Sequence, residues 1–415
     1  MDSRITRRAS RLAAGAALLL AAIPATAAAA THPHAAAPTG PPPVTVLNDG
    51  HTRAADDVFV TPTSDTPQTQ AEYANGAEIL NRQGKKLWWH AAPAGDSDAD
   101  LRVQRYHGKP VLTFWEGSGL GGLSNGTDYI LNQHYKTIAK VNAGDGDTTD
   151  GHEFLLAPHG RAWIISYDTA TADLTSIGGP SNQTVIDGII QEIDVKTGKV
   201  LFSWNSADHV PYSQSEQPLP TSATTPWDWF HANAVKPGPD GSILIDARDT
   251  WTTYDVNAKT GQVNWQLGGK ASTFTLQAAP GQTLNAASEI FAWQHDPEWI
   301  GQNTLTIFDN EAAGAANTGV GVTSELSYSR VVTIKLDQAT KVAMLVASDN
   351  QPEAGLASSQ GNGQRLPSGG EFVGWGILNS VSQFSAAGKL VWNLDFPIGV
   401  NTYRAYLEPW GSSAH

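Results

Sequence analysis

From residue 44 onward the chain is written in short runs, apolar and polar residues alternating, each closed by Gly, Pro, Asn or Asp. Gly188–Val195 (GIIQEIDV), Ser242–Ala247 (SILIDA), Arg330–Leu336 and Glu371–Trp375 are the clearest. A period of two, bounded by turn formers, predicts short antiparallel strands. Long runs at helical spacing are scarce, so the expected class is all-β.

The runs repeat. QGKKLWW from Gln83, TGKVLFSW from Thr197, TGQVNWQL from Thr260 and AGKLVWNL from Ala387 share a turn glycine, then a strand carrying tryptophan. The turn glycines, Gly84, Gly198, Gly261 and Gly388, are 114, 63 and 127 residues apart, close to two, one and two copies of a unit of roughly 60 residues. Pro-His-Gly (158–160), Pro-Asp-Gly (239–241) and Pro-Ser-Gly (367–369) each lead into a further strand. Four short strands per unit of this length make a propeller blade, and about 350 residues accommodate about six. A six-bladed β-propeller over residues 44–415 is therefore predicted. Residues near 44–80 serve as an N-terminal strap or the start of a blade, and Tyr403–Trp410 as the ring-closing strand. A pair of β-sandwiches is the competing architecture, but it leaves the period unexplained.

The first 43 residues read differently. Arg4, Arg7, Arg8 and Arg11 precede an apolar stretch, Leu12–Ile23, and an Ala-rich segment ending at Ala30. This is the pattern of a cleaved export signal, 1–30, of Sec or twin-arginine type, with an apolar part too short to span a bilayer. A Pro/Ala-rich lead-in, 31–43, follows. The mature protein is expected outside the cytoplasm. No later segment is long and apolar enough for a membrane helix. There is no cysteine, which removes thiol catalysis, cysteine–zinc sites and disulfides. Losing the four arginines and one aspartate of residues 1–30 takes the formal charge from −14 to −17. Such a surface repels nucleic acid and anionic lipid.

Ionisable residues stand beside the apolar runs at the spacing of the repeat. His152, His231 and His295 each open a segment that passes through a turn into a central strand: HEFLLAPHGRAWIIS, HANAVKPGPDGSILID and HDPEWIGQNTLTIF. Equivalent positions in three blades would bring them together at the mouth of a propeller channel. Arg248 closes the strand SILIDAR in the same region. Three imidazoles suggest a metal, but no H-x-H or H-x-x-x-H pairing occurs, and a guanidinium alongside raises the cost of holding a cation. Arginine with neutral imidazoles suits an oxyanion group undergoing transfer, one histidine attacking and another moving a proton. Trp229 and Trp293 flank these segments as possible platforms for an aromatic ring, although blade packing is the commoner use of tryptophan. Asn233 lies in the same HANAV segment, and Tyr403 and Arg404 can reach the channel from the closing strand. Asp309 and Asn310 read as braces for backbone or for a catalytic side chain. His159, in its turn, reads as solvent-exposed.

Taken in order, H-x-N-A-V, a strand ending in A-R, W-x-L-G-G (Trp265–Gly269), F-x-x-Q-H-D and F-D-N resemble the bacterial arylsulfotransferases, in their compact actinobacterial and fungal branch. The likeness runs from His152 to YRAYLEPW. It implies a six-bladed propeller that moves a sulfuryl group from an aryl sulfate ester to a phenolic acceptor without PAPS, by ping-pong kinetics and with no cofactor. It implies a transiently sulfurylated His295, a sulfuryl-binding and proton-moving pair in His231 and Arg248, and a further active-site histidine in His152. Its partners would be small molecules, the donor and the acceptor. The competing readings are another propeller enzyme, such as a quinoprotein, or a non-catalytic exported propeller used for binding.

Overall fold

A computed structural model describes residues 38–48, 56–119, 123–313, 323–324 and 326–410. The expected export signal lies outside the described residues. Six four-stranded antiparallel blades form a ring, a six-bladed β-propeller. From the axis outward, the first blade is Val400–Glu408, Asp57–Ser64, Gly76–Leu80 and Lys86–Ala91. The second is Ser97–Tyr106, Lys109–Ser118, Asn125–Leu131 and Thr137–Val141. The third runs Phe154–Ala157, Arg161–Ala172, Gln183–Asp194 and Val200–Asn205, and the fourth Ala232–Pro237, Ser242–Ala247, Thr252–Asn257 and Val263–Leu267. His295–Gly301, Thr304–Asp309, Arg330–Asp337 and Val342–Asn350 make the fifth. Asn362–Arg365, Glu371–Gly374, Ser380–Phe384 and Leu390–Asp395 make the sixth.

The ring closes where the last described strand joins the N-terminal strands. Val400–Glu408 is the innermost strand of a blade whose other strands come from the N-terminal side, and Val58 pairs with Leu407. Thr45–Asn48 straps the outer edge of the sixth blade through Leu390–Asp395. Thr45–Asn48 is thus strap, and Asp57–Ser64 and Gly76–Leu80 are blade. Among the described residues no helix is long and apolar enough to cross a membrane.

The repeated glycines mark the turn between the third and outermost strands. Gly84, Gly198, Gly261 and Gly388 have φ of 75, 68, 73 and 69°, where a side chain clashes with its own backbone. The two doubled spacings hide two more such turns, in the second and fifth blades. There Tyr135 and Lys341 adopt φ of 57 and 53° without glycine. The Pro-x-Gly turns join the innermost strand to the second, and His159 is exposed in one of them.

Packing explains why the second strands read as nearly continuous apolar runs. Ile164 faces the second blade's core while Trp163 and Ile165 face the fourth's. Leu244 packs toward the fifth blade, Ile243 and Ile245 toward the third. Both faces of each such strand are buried between neighbouring blades, which costs the simple alternation. Two outer-strand tryptophans also tie their blades to the next. Trp204 donates its indole N–H to the Gly261 carbonyl at 3.0 Å and Trp392 to that of Arg82 at 2.9 Å, in both cases within the following blade's turn.

Candidate active site

His152 lies two residues before the innermost strand of the third blade, His231 immediately before that of the fourth, and His295 begins that of the fifth. The repeat therefore brings to one rim side chains that are 79 and 64 residues apart. The His152 and His231 ring centroids are 5.0 Å apart, nearly perpendicular. The charges of His152, His231 and Arg248 all act on His295. All four side chains are almost fully buried.

Each imidazole is held through the same nitrogen. Nδ1 of His152 meets Asp150 Oδ1 at 2.5 Å and Nδ1 of His231 meets Asp228 Oδ2 at 2.5 Å, but Nδ1 of His295 meets Asn310 Oδ1 at 2.7 Å. That difference in partner sets the chemistry. Asn310 donates both its amide hydrogens, to the carbonyls of Ala357 at 2.8 Å and Gln360 at 2.9 Å. Its Oδ1 must then accept, which places the His295 proton on Nδ1 and the lone pair on Nε2. Burial, then the Arg248 guanidinium and the neighbouring His152, hold the His295 pKa well below the usual 6.5, so the ring is neutral. The Gln360 backbone N–H points to Nε2 from 3.3 Å. His231 is the opposite case. Burial disfavours its cation, but the Asp228 carboxylate more than offsets this and its pKa is raised.

Arg248 donates to Asp249 Oδ1 at 2.8 Å and to the Ser358 carbonyl at 2.9 Å, and it lies 4.9 Å from the Trp293 ring centroid. Its Nε–H has no acceptor although it is buried. Backbone strain collects here too. His231, Trp293, Asp296 and Gln360 have φ of 54, 57, 52 and 65°, conformations that cost about 1–3 kcal/mol each and gather at functional sites.

Beneath the rim the channel is filled by charge. Glu153 and Asp296, each following a rim histidine, meet Lys236 at 2.9 and 2.8 Å, and Glu298 meets the same ammonium at 2.9 Å. Arg404 reaches Glu153 at 3.1 Å and Asp100 at 3.3 Å. One buried network thus joins the innermost strands of the first five blades. On its far side, the innermost strands of the first, second, third, fifth and sixth blades line a cavity of about 350 Å³ that includes Arg105, Glu298, Arg365 and Glu408.

Against the sequence expectations, the structure brings together His152, His231, His295, Arg248 and Trp293. Tyr403 adjoins them, its hydroxyl donating to the His152 carbonyl at 3.0 Å. Asn233 is completely buried and donates to the Gln294 carbonyl at 2.7 Å, one residue before His295. Trp229 and Arg404 are placed elsewhere. Trp229 is wholly buried in the core between the third and fourth blades, its indole N–H on Asp187 Oδ1 at 3.0 Å. Arg404 is wholly buried in the charged network. Sequence reasoning missed Asp150, Asp228 and Tyr167. The first two are carboxylates two and three residues before a histidine, in DGH and DWFH, a signal legible once the histidines are suspected. Tyr167, 6.0 Å from the His231 ring and bonded to the Ala232 carbonyl, carries no such signal in its apolar strand.

Fold and site together define a six-bladed propeller with a buried rim of imidazoles and arginine. The arylsulfotransferase (ASST) family model matches residues 102–397, and the chain belongs to that family. No curated protein matches the chain. Among solved structures it is similar to a protein of unknown function from Bacteroides caccae, at 11% identity, 86% of this chain and 99% of that one, and a TM-score of 0.48. It is similar also to the Cps50 (Swd1) β-propeller domain of Myceliophteria thermophila, at 10% identity, 86% and 90% coverage, and a TM-score of 0.41.

Proposed function

We propose that the protein transfers a sulfuryl group from an aryl sulfate to a phenolic acceptor, without PAPS, through a sulfohistidine on His295. The observation that carries this reading is the asymmetry among the histidines, one neutral with its Nδ1 proton fixed by Asn310, the others on carboxylates. Family membership supports sulfotransfer in general.

In the first half-reaction the sulfate oxygens lie against Arg248, His231 and His152. His295 Nε2 bonds to sulfur as the sulfur–phenolate oxygen bond breaks. His231, cationic over a wider pH range than a free imidazole, gives its proton to the leaving oxygen. The acceptor phenol then returns a proton to His231 as its oxygen bonds to sulfur and the Nε2–S bond breaks. The unpartnered Nε–H of Arg248 supplies a donor for charge that builds on the sulfuryl oxygens. Trp293 and Tyr403 provide aromatic walls beside the histidines.

The test is transfer from 4-nitrophenyl sulfate to an added phenol, in wild type and in His295→Ala. Wild type is expected to form the new aryl sulfate without PAPS. The variant is expected to fold and to lose transfer by at least about 10³-fold. A folded His295→Ala with wild-type turnover would end the proposal.

A further inference from the structure

A second cluster of ligating groups lies away from the histidine rim, where the first and second blades meet. His90 comes from the outermost strand of the first blade, Asp98 from the innermost strand of the second, and Glu116 from the strand beside it. One ligand atom from each lies within 4.8 Å of the others. His90 Nε2 is 2.7 Å from Glu116 Oε2 and 3.9 Å from Asp98 Oδ2.

Asp98 is the telling member. Its carboxylate is fully buried, and neither oxygen makes a hydrogen bond of normal geometry, the Ala77 backbone amide giving weaker support. Among the described residues, the His90 imidazole is the one basic side chain within ion-pair reach of it. A buried carboxylate left in this state costs far more than one that is paired or coordinates a metal. Glu116, by contrast, is already oriented: the Tyr129 hydroxyl donates to Oε1 at 3.0 Å and leaves Oε2 facing His90. Such support of a ligand by its neighbours is how metal sites are built. Phe114, 5.0 Å from the His90 ring, forms an apolar wall.

We infer that His90, Asp98 and Glu116 bind a divalent transition-metal ion, zinc by donor preference, which pins the first blade to the second. One imidazole nitrogen and two carboxylate oxygens are a zinc donor set, with ligand distances of about 2.0–2.2 Å and a fourth position for water. Donors so placed around a tetrahedral ion sit about 3.3 Å apart, between the two separations observed. Two carboxylates balance the charge of the ion. In a chain without cysteine, a metal here would link two blades that no disulfide can join.

The full chain, stripped with a chelator, is titrated with zinc chloride by calorimetry and its thermal unfolding is followed. Wild type is expected to take up one zinc per chain and to unfold at a higher temperature when loaded. His90→Ala, on an exposed edge, and the isosteric Asp98→Asn should each weaken binding by at least about 10–100-fold and abolish the thermal shift. Asp228→Asn, which alters the second cluster of potential ligands among the described residues, should bind zinc as wild type does. No zinc uptake, or uptake unchanged in His90→Ala and Asp98→Asn, overturns the inference. So does uptake lost only in Asp228→Asn.

Discussion

What separates the three rim histidines is one oxygen each. His152 and His231 rest on aspartates, and His295 rests on an asparagine whose amide is committed to two carbonyls. A carboxylate stabilises an imidazolium, whereas an amide oxygen fixes a tautomer without favouring the charge. Equivalent fold positions thereby hold one imidazole whose cation is favoured and another that is kept neutral, the pair that the proposed transfer needs. The raised pKa of His231 means its proton is present below that value and lost as pH rises through it. With an unactivated phenyl sulfate as donor, the first half-reaction should slow on an alkaline limb lying above the ordinary imidazole value of 6.5. Asp228→Asn should move that limb to lower pH, costing about tenfold in rate above the limb for each unit moved. Pre-steady-state release of phenol as a function of pH checks this. An unmoved limb would assign the proton to another group.

Among the elements, the hairpin turns were the most legible part of the chain, because a left-handed residue at a fixed place strongly favours glycine. Gly84, Gly198, Gly261 and Gly388 announced four blades, whereas Tyr135 and Lys341 concealed the other two by holding the same conformation with a side chain. The histidine positions were readable from the same repeat. Their carboxylate partners and the charged channel network were not, since nothing in a strand's alternation says which inward polar residue meets which across the axis. Trp229 illustrates the converse error. It flanks a site histidine in sequence, but it lies between strands, in the loop that turns at the left-handed His231 (φ 54°), and its indole goes into the blade core. A Cβ at Gly198 would meet nothing within 4 Å, so Gly198→Ala tests backbone conformation alone and should destabilise by about 1–2 kcal/mol. Lys341→Gly at the equivalent exposed turn should be neutral or stabilising by up to about 1 kcal/mol. Denaturant unfolding of the two variants measures both.

For the whole molecule, the ring is held by apolar cores between every pair of neighbouring blades and by one buried charge network along the axis. Lys236 bridges Glu153 of the third blade and Asp296 and Glu298 of the fifth. Its removal leaves carboxylates buried without their counter-charge directly beneath His152 and His295. Lys236→Ala should cost about 3–5 kcal/mol in unfolding free energy, read by denaturant titration, and should weaken transfer in the molecules that remain folded. The central claim is that these distant blades deliver sulfur to one imidazole nitrogen. Its most direct measurement is mass spectrometry of the protein after incubation with an aryl sulfate and no acceptor. The account predicts a gain of one SO₃ group, mapped to His295 and discharged by added phenol. Transfer that proceeds with no such adduct, or with the adduct on another residue, would contradict it.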